Sequence, residues 1–454
     1  MEKRKTNTFL DNNQNYIHKK LSKSGGMAMK KVVFFLIITT SMILWTLAED
    51  VKEGEKSPFK YVFGKAYHIL PETTSDESGY FSLSEGNNGK IYIGTAKYGE
   101  NSYLVEFDPR TEKQRIVLDT HKVCAITATG YTAQAKIHTR NFVAPSGKIY
   151  VGSKQGYRRG TNDTAEYPGG YVMVYDPKED KAYNLGMPYK GLGVIDVVAD
   201  EMRKLLYVVT CEDEYWMVGK IEGGHYHKVG PMLIDYATTL VDSNGNAHAI
   251  TEDFNLATYY PSKNMVKVAK LVASDGKSLF ISGSAGIPNW VLSPDGRTAY
   301  LIRLGNADLF AIDLFDESET IVAKKLTTII EGENPDSRGA LAYAPDGCIY
   351  ALVKVANKTG FGSGSVHKLG RFNPQTGKTE ELGVIAIKNK DFFDFEKAKK
   401  EGKRWIHGYH TLPDGTLTPL HAHMAMIAAK DGTLYITILY PFTLLRIDGI
   451  AKGK

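Results

Sequence analysis

Histidine, tyrosine, arginine and lysine recur at one spacing along this 454-residue chain, and those side chains could do proton chemistry on a charged substrate. Nine residues before a repeated glycine stand Tyr80, His138, Tyr236, Arg338 and His423. Two residues earlier come Ser78, Lys136, Asp336 and His421. Strand side chains alternate faces with period two, so each such pair shares a face. Imidazoles and phenols can take or give a proton, and cations beside them can neutralise a carboxylate. Together they make a kit for β-elimination from a uronic acid: a base removes the proton next to the carboxylate, and an acid protonates the departing glycosidic oxygen. His138, Arg338, His423 and a tyrosine (Tyr80, Tyr236 or Tyr157) are the candidate catalytic groups.

Variable loops add candidate substrate contacts. Arg140, Lys154, Gln155 and Arg158 lie close to His138 in sequence, Tyr215 and Trp216 follow an acidic run Glu212 to Glu214, and Arg303 and His367 sit in later loops. With Lys136 they suggest a cleft of cations and aromatic rings, suited to an extended anionic sugar. His421 and His423 could instead be a metal pair, completed by His138, His367 or His410 around zinc or a similar divalent ion. No motif requires a cofactor. No Gly-x-Ser-x-Gly is present, and the carboxylates are scattered. Simpler roles are open to the same groups: His138 and His423 as structural histidines, Arg338 as the turn partner of Asp336, the tyrosines as channel plugs, and Glu212 to Glu214 as a solvated loop.

These residues need a frame, and the sequence repeats one. Gly89-Lys-Ile-Tyr-Ile-Gly94 followed by Tyr103 to Pro109 returns as Gly147-Lys-Ile-Tyr-Val-Gly152 followed by Tyr171 to Pro177. Weaker copies begin near Lys204, Gly245, Gly296, Gly347 and Gly432. Units of this kind, bounded by Asp-Pro, Ser-Gly and Asp-Gly turns, predict an all-β fold, a seven-bladed β-propeller of four-stranded blades. In the second unit the strands are expected at 136–144, 147–153, 171–176 and 182–185. The last unit lacks an outer strand, and residues 60–70 would supply it and close the ring. Residues 391–404 read as a short charged helix with a solvated face, inside an insertion at about 387–415.

Composition sets the compartment. Hydrophobic residues make up 43% of the chain, and Lys+Arg of 56 against Asp+Glu of 51 leaves a charge of +5, too weak a field for nucleic-acid binding. Lys30-Lys31, the apolar run Val32 to Leu47 and Thr46-Leu47-Ala48 read as a signal peptide over 1–48, with Met27 or Met29 as the true start. A linker at 49–59 then leads to a propeller at 60–454. The expectation is a secreted or periplasmic monomer with no stable membrane insertion after cleavage. Cys124, Cys211 and Cys348 cannot form a disulfide framework.

Lys136-Ile-His138-Thr139, the following Gly147 to Gly152 phrase and Tyr157 in the next loop resemble the secreted seven-bladed propeller polysaccharide lyases, the ulvan lyases among them. The resemblance implies elimination on an acidic polysaccharide or oligosaccharide with His138 in the catalytic set. The family's second loop histidine is replaced here by Tyr157, and no Tyr–Arg pair stands at the family's spacing. Two other classes stay open: a non-catalytic propeller that binds carbohydrate or protein, with Tyr215 and Trp216 as anchors, and a His-coordinated metal-dependent enzyme.

Overall fold

The computed structural model describes residues 56–75, 80–158, 160, 163–280, 289–303, 305–422 and 424–453. The chain divides into two compact units, residues 1–58 with 413–415 and residues 59–412 with 416–454. Everything below concerns the second. The signal-peptide reading, most of the linker, Ser78 and His423 lie outside the described residues.

The second unit is built from antiparallel meanders. One four-stranded sheet runs Leu83–Glu85, Ile91–Gly94, Tyr103–Asp108, Lys113–Asp119 in sequence order, and another runs Gly193–Asp200, Leu205–Cys211, Trp216–Lys220, His227–Lys228. Between them, Lys136–Ile137 and Phe142–Val143 both pair with Ile149–Lys154, followed by Val172–Asp176 and Lys181–Gly186. There are also two eight-stranded sheets, each of two meanders joined at their outer edges, and a two-stranded sheet of Tyr409–Thr411 and Leu417–Pro419. In one, Met265–Ala273 runs parallel to Thr320–Thr328.

Burial is unequal among the strands of a meander. Every residue of Gly193–Asp200 and Ile149–Lys154 is buried, whereas Lys113–Asp119 is largely exposed. Gly193–Asp200 accordingly carries β-branched residues on both faces, Val194 and Val197 on one and Ile195 and Val198 on the other. Tight turns join the strands; at Gly147 the backbone φ is 94°, a region that glycine enters without steric cost. First strands of different meanders neighbour one another: Leu83–Glu85 lies beside Phe142–Val143 and Ala425–Ala428, and Leu341–Tyr343 lies beside Asn289–Leu292 and Ala425–Ala428.

The strand Tyr61–His68 closes the chain's two ends, with an addition to the expected pairing. Lys65 to His68 pair antiparallel with Arg446 to Thr443, while Tyr61 to Gly64 pair parallel with Val384 to Ile387. At eight residues the strand overhangs the last meander and covers the neighbouring edge as well.

Two local expectations change. The strand expected over 136–144 is broken from His138 to Asn141, because the Thr139 hydroxyl, rather than a backbone carbonyl, accepts from the Gly152 N–H at 3.0 Å. The charged helix is a 3-10 turn, Lys390–Phe392, and a short α-helix, Phe395–Lys400, capped by the Asp394 carboxylate. It is not merely solvated: Phe392 and Phe395 pack on Tyr409 and on the core.

Candidate functional site

The break after Ile137 turns His138 into a nest of rings. Tyr80, Phe81 and Tyr236 have ring centres 4.8, 5.4 and 5.7 Å from the imidazole, Phe81 stacked on it and Tyr236 edge-on. His138 is 4% exposed, and neither ring nitrogen has a hydrogen-bond partner among the described residues. Burial and the nearby Lys136 and Lys154 charges push its pKa well below the usual histidine value. His138 is therefore neutral and covered by rings.

The cations at this end of the meander are lysines. Lys136 and Lys154 stand directly opposite on adjacent antiparallel strands, 3% and 5% exposed. The Lys136 ammonium lies 4.0 Å from the Tyr157 ring centre and 4.6 Å from that of Tyr98. Tyr157 stacks on Tyr98 at 5.0 Å and presents its other side to solvent. Lys154 lies 5.5 Å from the Tyr236 ring centre and 3.4 Å from the Glu212 carboxylate. Burial opposes its charge, but Cys211, Tyr236 and Glu212 outweigh that and hold its pKa well above the ordinary value. Gln155 is buried beside it and donates to Glu212 at 3.2 Å.

Glu214, from the acidic loop, was expected to be solvated. It is buried, and desolvation, reinforced by Asp235 and Glu212 and opposed by Lys154, raises its pKa to about 8. This loop thus supplies a carboxylic acid that keeps its proton at neutral pH. Tyr98, Phe81 and Glu214 are the neighbours that spacing alone missed; the loop after Ile91–Gly94, equivalent to the one after Ile149–Lys154, was the available signal for Tyr98.

Several sequence candidates serve the scaffold instead. Trp216 is 1% exposed inside the core, so it is no surface anchor. His367 is fully buried, its Nδ1 against the Pro419 carbonyl at 3.0 Å and its Nε2 accepting from the Ala422 N–H at 3.2 Å, which leaves neither nitrogen for sugar or metal. Arg303 is 5% exposed and paired with Asp275 at 2.8 Å. Arg140 reaches the Trp290 carbonyl at 3.3 Å and neighbours buried Asp196, whose pKa desolvation raises to about 7. All four are tied to the scaffold by burial or by contacts to it.

Arg338 pairs with Asp336 at 3.2 Å and is partly exposed. Arg158 donates to the carbonyls of Asp163 and Ala165 and stacks on Tyr131. Tyr215 packs against Tyr189, with the Lys228 ammonium 3.1 Å from its ring centre. His421 packs edge-on to Tyr440 at 5.2 Å. Among the described residues no group of three or more His, Cys, Asp or Glu is placed to hold a metal ion. Cys211 is buried and its thiol pushed up to about 12, which removes it as a nucleophile.

Neither protein-family models nor curated proteins give a match to this chain. Solved structures do. A fungal alcohol oxidase of the AA5 family, in complex with copper, has a TM-score of 0.53 at 11% identity over 86% of this chain and 79% of its own. A streptogramin B lyase has a TM-score of 0.51 at 10% identity over 85% of this chain and 97% of its own. At such identity the likeness is one of fold. The chain is a β-propeller. Lys136, His138 and Lys154 stand together at one end of the second meander, Lys136 and Lys154 paired directly across two strands. Among the described residues no helix is long and apolar enough to cross a membrane.

Proposed function

We propose that this propeller has seven four-stranded blades, is exported as a monomer, and cleaves an acidic, uronate-containing polysaccharide by β-elimination at a central mouth of the ring, where Lys136, His138 and Lys154 stand. The observation that supports this is the Lys136–Lys154 pair: two buried ammonium groups side by side, bordered by tyrosine rings. A carboxylate placed against them has its charge neutralised, which is what makes the adjacent C–H proton removable.

The neutral imidazole of His138 then takes that proton. The C–H electron pair becomes the new C=C bond, and the glycosidic C–O bond breaks with its electrons on oxygen. Glu214, still protonated near neutral pH, gives that oxygen its proton. Tyr157 offers an exposed face to a sugar ring. The streptogramin B lyase shares only the fold, and its name adds a weak argument for lyase chemistry on this scaffold. Export rests on the signal-like N-terminal sequence.

The test is incubation with a panel of uronate polysaccharides, read by the ultraviolet absorbance of the unsaturated product. Appearance of that chromophore, lost in Lys136→Met, supports elimination; binding to the panel without product would establish the second reading, a sugar-binding propeller without catalysis. That alternative is favoured by one observation, the covering of both His138 nitrogens.

A further inference from the structure

His138 carries an unmet need. A buried polar group without a partner loses its hydration with nothing in return, and such groups in native proteins call for an explanation. Both nitrogens of this ring lack a partner among the described residues, whereas buried His248 and His367 are satisfied: His248 lies 3.0 Å from both Asp242 and Thr258, and His367 is held as described above.

The rings over His138 are themselves held in an unusual way. Tyr80 and Tyr236 stand at equivalent positions of different repeats, and both have left-handed backbone, φ 53° and 57°. Bulky residues rarely adopt that region, and strain of this kind gathers at sites that move or bind. Both strained tyrosines place their rings on the imidazole that has neither nitrogen partnered among the described residues. Each also neighbours a lysine of the mouth, Tyr80 with Lys136 at 5.8 Å and Tyr236 with Lys154 at 5.5 Å. A carboxylate drawn to the lysines therefore arrives against the same rings that cover the histidine.

We propose that Tyr80 and Tyr236 form a two-ring gate over His138, closed in this structure, and that an acidic sugar docking on Lys136 and Lys154 displaces a ring and supplies the imidazole's missing hydrogen-bond partner. This rests on the reading of the mouth as an acidic-sugar site. Phe81, stacked on the imidazole, is the fixed wall. It is 7% exposed and packs where Gly339 has no side chain; a Cβ there would lie 2.7 Å from the Phe81 ring and 1.8 Å from the Met424 carbonyl.

The experiment is carbethoxylation of the full chain by diethyl pyrocarbonate, with each histidine followed by peptide mass. His248 and His367, both fully buried and hydrogen-bonded, are the internal references for labelling that needs wider unfolding. A gate that opens locally labels His138 about 10-fold or more faster than the references, and faster again in Tyr80→Ala and in Tyr236→Ala at unchanged melting temperature. Labelling of His138 no faster than the references, or unaltered by both variants, overturns the gate. Unsaturated product is read separately. Fast labelling with no product from any uronate retains the gate and overturns elimination, whereas product with slow labelling overturns the gate and gives the base role to another residue.

Discussion

Lys136 and Lys154 face each other across one antiparallel strand pair, and both are more than nine-tenths buried. Like charges directly opposite destabilise a sheet. Tyrosine faces and the Glu212 carboxylate offset part of that cost, and an anionic ligand would offset more.

Replacing either lysine with methionine keeps the volume and removes the charge. Lys136→Met and Lys154→Met should each weaken binding of uronate polysaccharide about 10-fold at low salt, in line with loss of a charge-assisted contact. The melting temperature should hold or rise, because a buried like-charge pair is gone. Affinity against ionic strength and a thermal melt check both; a lysine whose loss lowers only the melting temperature is structural.

Glu214 ties stability to pH. Its folded pKa is raised to about 8 from an ordinary 4.5, so between those values the folded state holds a proton that the unfolded state has released. Stability from this group is present below pH 4.5 and lost as pH rises toward 8. Glu214→Gln should remove that loss, making the variant the more stable protein above pH 8 by up to a few kcal/mol, with little difference at pH 4. Urea titrations at the two pH values measure it. The same variant should lose about 100-fold in turnover if the carboxyl is the acid.

Gly193 sits against the lysine from behind. An added Cβ would lie 2.6 Å from the Lys154 Cβ, 2.9 Å from the Gln155 Oε1 and 3.1 Å from the Cys211 sulfur. Gly193→Ala should therefore displace Lys154 and weaken polysaccharide binding about as much as Lys154→Met, about 10-fold. An unaltered affinity would show that the ammonium position does not matter.

Trp216 should behave as core. Trp216→Ala should cost about 3–5 kcal/mol in urea unfolding, as large core truncations do, with affinity per folded molecule unchanged. Loss of affinity at full folding would restore it as a sugar contact.

The repeated glycine phrases made the sheets legible, since turn residues and alternation are local properties of the chain. Equivalent positions in different repeats marked Tyr80, His138 and Tyr236 as neighbours, and they do meet around one imidazole. Trp216, His367 and Arg303 misled because a residue type says what a side chain can do and not how much water reaches it. Glu214 misled in the other direction, an acidic loop residue folded into a dry site.

The sequence by itself determined the strand-and-turn repeat and the residue types that one mouth can offer, because period-two alternation and turn chemistry act over a few neighbouring residues. Only the tertiary structure decided which groups are desolvated, since burial depends on rings and strands brought in from distant repeats. That desolvation sets the chemistry: it keeps His138 neutral and Glu214 protonated, while the contacts around Lys154 keep it charged.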